Sequence, residues 1–333
     1  MDTDILKIEK PIWFMRQAGR HLPEYRRLRS KKENFLEFCF DYDCVVESTL
    51  QPINRYDIDC AILFSDILVI PYLLNQGVTF NKGIGPNLER LSFKQLLNLK
   101  TSDNKLKDLN INYKAIKKIR FLLNKNNSLI GFCGGPWTVS CYMIDGNSKN
   151  GFKHAQESIK INKHELTLLL DKLVDVSIDH LAKQYENGCD TLMIFESWAG
   201  LVSNLNKNEV LYKPIRKIIN GLRERDIKAP IIVFPKGLGS TILEYIHNVK
   251  TDILSVDFET DLDWLLKNVN KNLILQGNLN PKTLLKGGKI LDDEATRIKN
   301  VVGKRQHIFN VGHGLLPETP IENVHRFIEI IRS

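Results

Sequence analysis

The sequence predicts an α/β protein: one (β/α)8 barrel, or TIM barrel, with an N-terminal basic arm, in which residues 1–333 form a single domain. Short apolar runs alternate with segments of helical periodicity along the chain. Each strong run is almost continuously apolar, as in strands buried on both faces of a parallel sheet, and then turns polar or glycine-rich. No Pro/Ser-rich linker divides the chain, which favours one barrel.

Seven strong runs are predicted strands, and an eighth is weaker. The strong runs begin near residues 59, 129, 191, 230, 253, 273 and 307, and the weak candidate, Gly77–Phe80, lies in a hairpin-like GVTFNKGIGP. Eight such units fit either a closed barrel or an open doubly wound sheet. No GxGxxG or GxxxxGK[ST] motif follows any run, which weakens a nucleotide-binding open sheet.

Three segments illustrate the helices between these runs. Phe35–Gln51 has apolar residues near helical spacing, and so does Leu166–Tyr185, which Asn187 and Gly188 should end. The last helix should begin at Thr319-Pro320-Ile321-Glu322, a capping box with proline at the first helical position.

The segment Pro11–Arg29 concentrates positive charge. Gly19 and Pro23 interrupt it, so it is predicted to form an arm of loops and short turns, anchored by an apolar Trp-Phe-Met run. Guanidinium groups suit carboxylates and phosphates because each donates two parallel hydrogen bonds. The arm is a clamp for a polyanionic ligand, a solvated basic arm, or an arm that meets a partner subunit. Its arginines are Arg16, Arg20, Arg26, Arg27 and Arg29.

Composition limits the function classes. The net charge of +8 comes largely from lysines scattered on helices, without the basic and aromatic interleaving of single-strand binders, so no nucleic-acid partner is expected. No stretch resembles a signal peptide or a membrane span, so the expected location is the cytoplasm. The cysteines form no CxxC pair and no zinc spacing, so no metal is expected; they are Cys39, Cys44, Cys60, Cys133, Cys141 and Cys189.

The carboxyl ends of the strands should line the active site of a barrel. Taken singly, the polar residues at these strand ends can have ordinary structural roles. Asp66 can be a helix N-cap, Ser197 a turn cap, and His313 a hydrogen-bonded strand end. A ring of polar groups on one rim, capped by arginines, instead favours a site. The predicted ring consists of Asp66, Phe132, Phe195, Glu196, Ser197, Lys236, Asp257, Gln276, Asn278 and Asn310 to His313.

Six motifs carry a resemblance to a known family. They are MRQAGRHLPEYR, FSDIL, GFCGGPWTVSCYMIDG, FESWAG, QGNL and NVGHG, in this order from about Pro11 to the C-terminus. Together they resemble the uroporphyrinogen decarboxylase family of haem and tetrapyrrole biosynthesis. The resemblance implies decarboxylation of the four acetate side chains of uroporphyrinogen to methyls, giving coproporphyrinogen and CO2. It also implies a (β/α)8 barrel, no metal or organic cofactor, and a homodimer.

The resemblance also assigns roles to individual residues. It implies that Asp66 faces the pyrrole N–H groups and that Asp66 and Arg16 are catalytic. Phe132 and Phe195 should lie beside the macrocycle, and Tyr142, Ser197 and His313 should contact substrate carboxylates. The substrate-binding box consists of Arg16, Gln17, Ala18 and Arg20, with Arg29 as a further substrate arginine.

The implied chemistry agrees with the residue types. The substrate carries eight carboxylates, which accounts for a local arginine surplus. Loss of CO2 from a pyrrole acetate needs an electron sink, which protonation of the ring provides. A carboxylate at the centre of the macrocycle would then favour the charged iminium form.

Two other functions remain open at this point. One is a corrinoid-linked methyltransferase of the same barrel family, which needs a zinc site with a His-x-Cys pair; no histidine here has cysteine two positions later. The other is a non-catalytic binder of anions or nucleic acid, whose affinity would fall steeply with salt.

Overall fold

The computed structural model describes residues 5–81 and 85–333. Within these ranges, seven parallel strands form the main sheet, in which they lie in the order in which they occur along the chain. All seven strong runs of the sequence are therefore confirmed as strands. The strands are β1 Cys60–Ile62, β2 Val78–Asn81, β3 Gly85–Leu88, β4 Ser128–Gly134, β5 Thr191–Glu196, β6 Ile231–Pro235, β7 Ile253–Ser255, β8 Ile274–Gln276 and β9 His307–Ile308.

Helices connect successive strands of the main sheet, as the alternating pattern predicts, and further helices precede its first strand and follow its last. They are α1 Pro23–Arg29, α2 Phe35–Cys39, α3 Tyr42–Arg55, α4 Val69–Leu73, α5 Phe93–Asn98, α6 Asp103–Leu122, α7 Pro136–Asp145, α8 Lys153–Ile161, α9 Lys163–Glu186, α10 Lys213–Glu224, α11 Ile242–Asn248, α12 Leu262–Asn268, α13 Pro281–Lys286, α14 Gly288–Val302 and α15 Ile321–Arg332. In the part of the chain that the structure describes, no helix is both long and apolar enough to cross a bilayer.

The segment Pro11–Trp13 joins the two edges of the curled sheet. On the β9 side, Phe309 N donates to Pro11 O (2.8 Å) and Trp13 N donates to Phe309 O (3.2 Å). On the β1 side, Asp59 N donates to Ile12 O (2.9 Å). The bridge between Ile12 and Phe309 is parallel, and the sheet curls far enough for this one segment to hydrogen-bond to residues beside both of its edge strands.

The weak eighth run is not part of the main sheet. Val78–Asn81 pairs antiparallel with Gly85–Leu88 in a separate hairpin, and the residues 82–84 of the hairpin-like motif lie outside the described residues. Val78 is buried while Thr79 is exposed. This alternation is typical of a half-buried antiparallel strand, whereas strands of the main sheet are buried on both faces.

The structure does not confirm a separate N-terminal arm. Ile12, Trp13 and Phe14 are completely buried in the core. The predicted turns after Pro23 are instead a helix, with Pro23 in its first turn and Tyr25 and Leu28 buried at i, i+3 spacing. The interruption at Pro23 thus marks a helix start.

Two further helix predictions need correction. Phe35–Gln51 is split into α2 and α3, because Asp41 caps a new helix by accepting from Cys44 N (3.0 Å). The capping box before α15 is not formed: Pro320 occupies the N-cap position, and Thr319 Oγ1 accepts from Leu316 N (3.1 Å). The helix predicted at Leu166–Tyr185 is confirmed, with its C-cap at Asn187.

Candidate active site

The candidate site lies at the carboxyl end of the curled sheet, where the loops after β1, β4, β5, β6 and β9 meet. Arg16 lies close enough to Asp66, Tyr142 and His313 for its positive charge to act on the pKa of each group. The structure therefore brings together four residues that are far apart in the sequence, on the rim where parallel strands place functional groups.

Arg16 lies in a strained, well-anchored loop. Its φ is +61°, in the left-handed region that side chains other than glycine rarely adopt. The preceding residue fixes this turn: Met15 N donates to Asn310 Oδ1 (2.9 Å), and Met15 O accepts from Leu315 N (2.9 Å). Partial desolvation lowers the pKa of Arg16, and the negative charge of Asp66 opposes that shift.

Gln17 connects the arginine loop to strand β1. It is completely buried. Its Nε2 donates to Cys60 O (3.0 Å), and its Oε1 accepts from Phe14 N (3.0 Å). Both ends of this amide are therefore bonded to the backbone, which holds the loop on the sheet. Ala18 is half-buried and packs against the core.

Asp66 is half-buried in the loop beyond β1. Its Oδ1 accepts from Leu68 N (2.8 Å) just before α4, so the carboxylate caps this turn with one oxygen. Burial raises the pKa of Asp66, while the Leu68 N–H and the Arg16 charge oppose the rise. Guanidinium groups alone would have lowered this pKa, so desolvation outweighs them.

Arg20 and Arg29 differ in their surroundings. Arg20 is exposed, and its carbonyl accepts from the Arg26 guanidinium (2.6 Å). The Arg29 guanidinium donates to the carbonyls of Lys32 and Glu33, and it lies 5.8 Å from the ring centre of Phe35. Arg29 therefore orders the loop after α1, whereas the Arg20 side chain extends into solvent.

Two aromatic side chains pack together on neighbouring strands of the main sheet. Phe132 and Phe195 come from the neighbouring strands β4 and β5, and their rings meet edge to face at 5.4 Å. The side chain of Gln184 fixes Phe132, because its amide accepts from Phe132 N (2.8 Å) and donates to Phe132 O (2.9 Å). The two rings therefore form an apolar pair whose Phe132 backbone is held in place.

Tyr142 reaches the site from helix α7. Its ring packs edge to face on Phe152 (4.9 Å), which in turn contacts Trp198 (5.0 Å). Burial raises the pKa of the Tyr142 hydroxyl. Ser197, half-buried, immediately precedes Trp198 in the loop after β5.

His313 is half-buried between Gly312 and Gly314. Burial lowers its pKa to about 4, and the positive charges of Arg16 and Lys236 add to this shift. The imidazole is therefore neutral at neutral pH, and it is available as a hydrogen-bonding group rather than a cation.

Glu196 has a structural role that the sequence pattern does not reveal. It is completely buried and accepts from Trp137 N (3.3 Å), Thr138 N (2.6 Å) and the Thr138 hydroxyl. It therefore caps the first turn of α7 from a neighbouring strand. Burial raises the pKa of Glu196 to about 7. The paired glycines and proline before α7 mark a helix start without a local cap, but they do not identify the partner.

The described residues include no group of three or more His, Cys, Asp or Glu side chains placed to hold a metal ion. The six cysteines are buried and unpaired. The arrangement thus consists of a cationic loop, one carboxylate, a neutral imidazole and an aromatic pair. It suits a large, flat, polyanionic ligand.

Comparison with known proteins decides the family. The family model described as uroporphyrinogen decarboxylase (URO-D) matches residues 8–333. The chain belongs to the uroporphyrinogen decarboxylase family. Among similar proteins, uroporphyrinogen decarboxylase from Rickettsia canadensis is 43% identical over 325 residues, which cover 97% of this chain and 95% of that protein. The enzyme of the same name from Orientia tsutsugamushi (strain Ikeda) is 43% identical over 326 residues, covering 97% and 94%.

Solved structures support the fold. A methyltransferase from Methanosarcina mazei superposes with a TM-score of 0.81 at 18% identity, covering 98% of this chain and 94% of that one. A B12-independent methionine synthase from Shewanella sp. W3-18-1 gives a TM-score of 0.55 at 10% identity, covering 87% of each chain. At these identities the likeness concerns the fold alone.

Proposed function

We propose that this family member decarboxylates the four acetate side chains of uroporphyrinogen at the mouth of the curled sheet, with Asp66 and Arg16 as catalytic residues. Family membership makes the chain a carboxy-lyase of tetrapyrrole and haem biosynthesis. The observation that carries the proposal for the site is the convergence of Arg16, Asp66, Tyr142 and His313 at one rim.

The arginines bind substrate carboxylates. Arg16 and the exposed Arg20 can each donate two parallel hydrogen bonds, and such charge-assisted bonds contribute about 1.5–3 kcal/mol each. Arg29 acts through a guanidinium that also orders its own loop. Gln17 and Ala18 complete the box: Gln17 holds the loop against Cys60, and Ala18 leaves space beside it.

The remaining residues orient the macrocycle. Phe132 and Phe195 contact its apolar face, since their rings already form a packed pair. Tyr142, Ser197 and the neutral imidazole of His313 donate hydrogen bonds to carboxylates. The substrate is thereby held with its pyrrole N–H groups toward Asp66.

Asp66 stabilises the charge that develops on the reacting pyrrole. A proton first adds to the pyrrole α-carbon next to the ring carbon that bears the acetate, which creates an iminium cation conjugated with that ring carbon. The bond between the acetate methylene and its carboxylate carbon then breaks and CO2 leaves. The electron pair passes from the methylene into the ring and neutralises the iminium. A second proton completes the methyl as the ring proton is lost. The Asp66 oxygen that does not cap Leu68 accepts from the pyrrole N–H groups throughout.

Three wider features belong to the same proposal. Pro11–Trp13 acts as the eighth member of a closed (β/α)8 barrel, which its hydrogen bonds to Phe309 and Asp59 support. Residues 1–333 form one domain. The protein functions in the cytoplasm, consistent with six unpaired cysteines, and forms a homodimer, which light scattering on the purified protein tests directly.

The direct test of the activity is incubation of the purified protein with uroporphyrinogen III under anaerobic, reducing conditions. Products are oxidised and separated by their number of carboxylates. The proposal predicts stepwise formation of species with seven, six, five and four carboxylates. Recovery of unchanged uroporphyrinogen would refute it.

A further inference from the structure

Lys236 is a cation at the carboxyl end of the sheet that the proposed chemistry does not use. It follows the last residue of β6 and is half-buried. Its Nζ lies 6.0 Å from the ring centre of Trp198, and its charge acts on His313. Its ammonium group forms no ion pair with any residue that the structure describes, so its charge is available to a ligand.

The backbone around Lys236 is held from both sides. Lys236 N donates to Glu196 O (3.2 Å), and Lys236 O accepts from Gly200 N (3.0 Å). The next residue, Gly237, donates to the buried Asp257 Oδ2 (2.7 Å). A Cβ on Gly200 would lie 2.5 Å from Gly237 O, so this close approach requires glycine. The ammonium therefore projects from a fixed base rather than from a mobile surface loop.

Lys236 and Arg16 follow different parts of the sheet. Strand β6 is the central strand of the seven in the main sheet. Arg16 instead follows the segment Pro11–Trp13, which bonds to both edges of that sheet. The positive charges of both Arg16 and Lys236 lower the pKa of His313, so both cations lie near the same imidazole.

A ring with eight carboxylates presents negative charge on every side, whereas the arginines come from one segment of the chain. We infer that Lys236 binds a substrate carboxylate on the side of the macrocycle away from Arg16. This inference rests on the proposed function. An ammonium on a flexible stem binds as a point charge, so it can donate to either an acetate or a propionate as different pyrroles are presented for reaction.

The test compares three variants by steady-state kinetics with uroporphyrinogen III. Lys236→Gln removes the charge and should raise KM at least about tenfold, while kcat stays within about threefold. Lys236→Arg retains the charge and should restore KM to within about threefold of wild type. Lys228→Gln is the matched control, because Lys228 precedes the other end of β6 and its side chain is 80% exposed. It removes the same net charge and should leave KM unchanged.

Inhibition by coproporphyrinogen, which retains only propionates, identifies the carboxylate. A larger inhibition constant in Lys236→Gln shows that Lys236 binds a propionate. An unchanged inhibition constant with a raised KM shows that it binds an acetate. Both outcomes support the inference. An unchanged KM in Lys236→Gln overturns it, as does a loss confined to kcat, which would indicate proton transfer. A wild-type protein that does not turn over uroporphyrinogen would overturn the proposed function itself, so the two failures are distinguishable.

Discussion

The backbone of Gly314 lies directly against the side chain of Arg16. A Cβ atom on residue 314 would lie 2.6 Å from Arg16 Cδ and 2.9 Å from its Cγ. The glycine thus leaves the space through which the guanidinium reaches the mouth, and the strained backbone of Arg16 leaves little freedom to compensate.

Gly314→Ala should therefore displace Arg16 without unfolding the protein. We expect turnover to fall at least about tenfold, because small misplacements of positioning groups are costly in catalysis. The melting temperature should stay close to wild type, since the displaced side chain is exposed. Gly77→Ala, whose Cβ would make only an ordinary contact of 3.4 Å with Glu89, is the control. If Gly314→Ala turned over substrate as fast as the Gly77→Ala control, the placement of the Arg16 side chain would not be critical.

Substitutions of Arg16 and Arg20 should affect different kinetic parameters. Arg16→Lys retains the charge but loses the planar pair of donors, and we expect at least about a tenfold loss in kcat. Arg20→Ala removes a solvent-facing guanidinium and should mainly raise KM, by the roughly tenfold or more that one charge-assisted hydrogen bond contributes. Kinetics of Arg16→Lys that match wild type would reduce Arg16 to a surface charge.

The sequence predicts local elements well because their patterns are local. Each strand of the main sheet is a continuous apolar run, which identifies it without its neighbours. The role of Pro11–Trp13 could not be read in this way, because its partner Phe309 lies almost 300 residues later. A short Trp-Phe-Met run beside arginines is consistent with an anchored arm or with a buried edge.

The candidate site shows the same division. The motifs identify Arg16, Asp66 and His313, and the structure places them together. The sequence does not reveal that Gln17 is completely buried or that burial raises the pKa of Asp66, since both depend on packing between distant elements. Glu196 was missed as a cap for the same reason, because it lies on a strand 58 residues from the Thr138 backbone that it binds.

Glu196 makes stability depend on pH. Burial raises its pKa from 4.5 to about 7, so the folded protein holds this proton more tightly than the unfolded chain does. The stabilisation is complete below pH 4.5 and is lost as the pH rises through 7. Glu196→Gln cannot ionise and should lose less stability over this range. The difference in melting temperature, variant minus wild type, should therefore increase by several degrees between pH 5 and pH 8. A difference in melting temperature that stays constant from pH 5 to pH 8 would contradict the raised pKa of Glu196.

Activity should survive exhaustive chelation. The predicted chemistry needs no metal, and the sequence has no cluster of usual metal-ligand spacing. We expect turnover after dialysis against EDTA to match that of the untreated protein. Loss of turnover that one added metal restores would contradict this expectation.

The turnover of Asp66→Asn tests the central claim most directly. Asparagine retains an Oδ1 that can accept from Leu68 N, so the turn before α4 and the melting temperature should be preserved. It replaces a pure acceptor with a group that also presents donors to the pyrrole N–H groups. We predict at least about a hundredfold loss of turnover with uroporphyrinogen, the scale of removing one preorganised electrostatic partner, and partial activity in Asp66→Glu. An Asp66→Asn protein that melts like wild type and decarboxylates at the wild-type rate would show that the carboxylate only caps a turn.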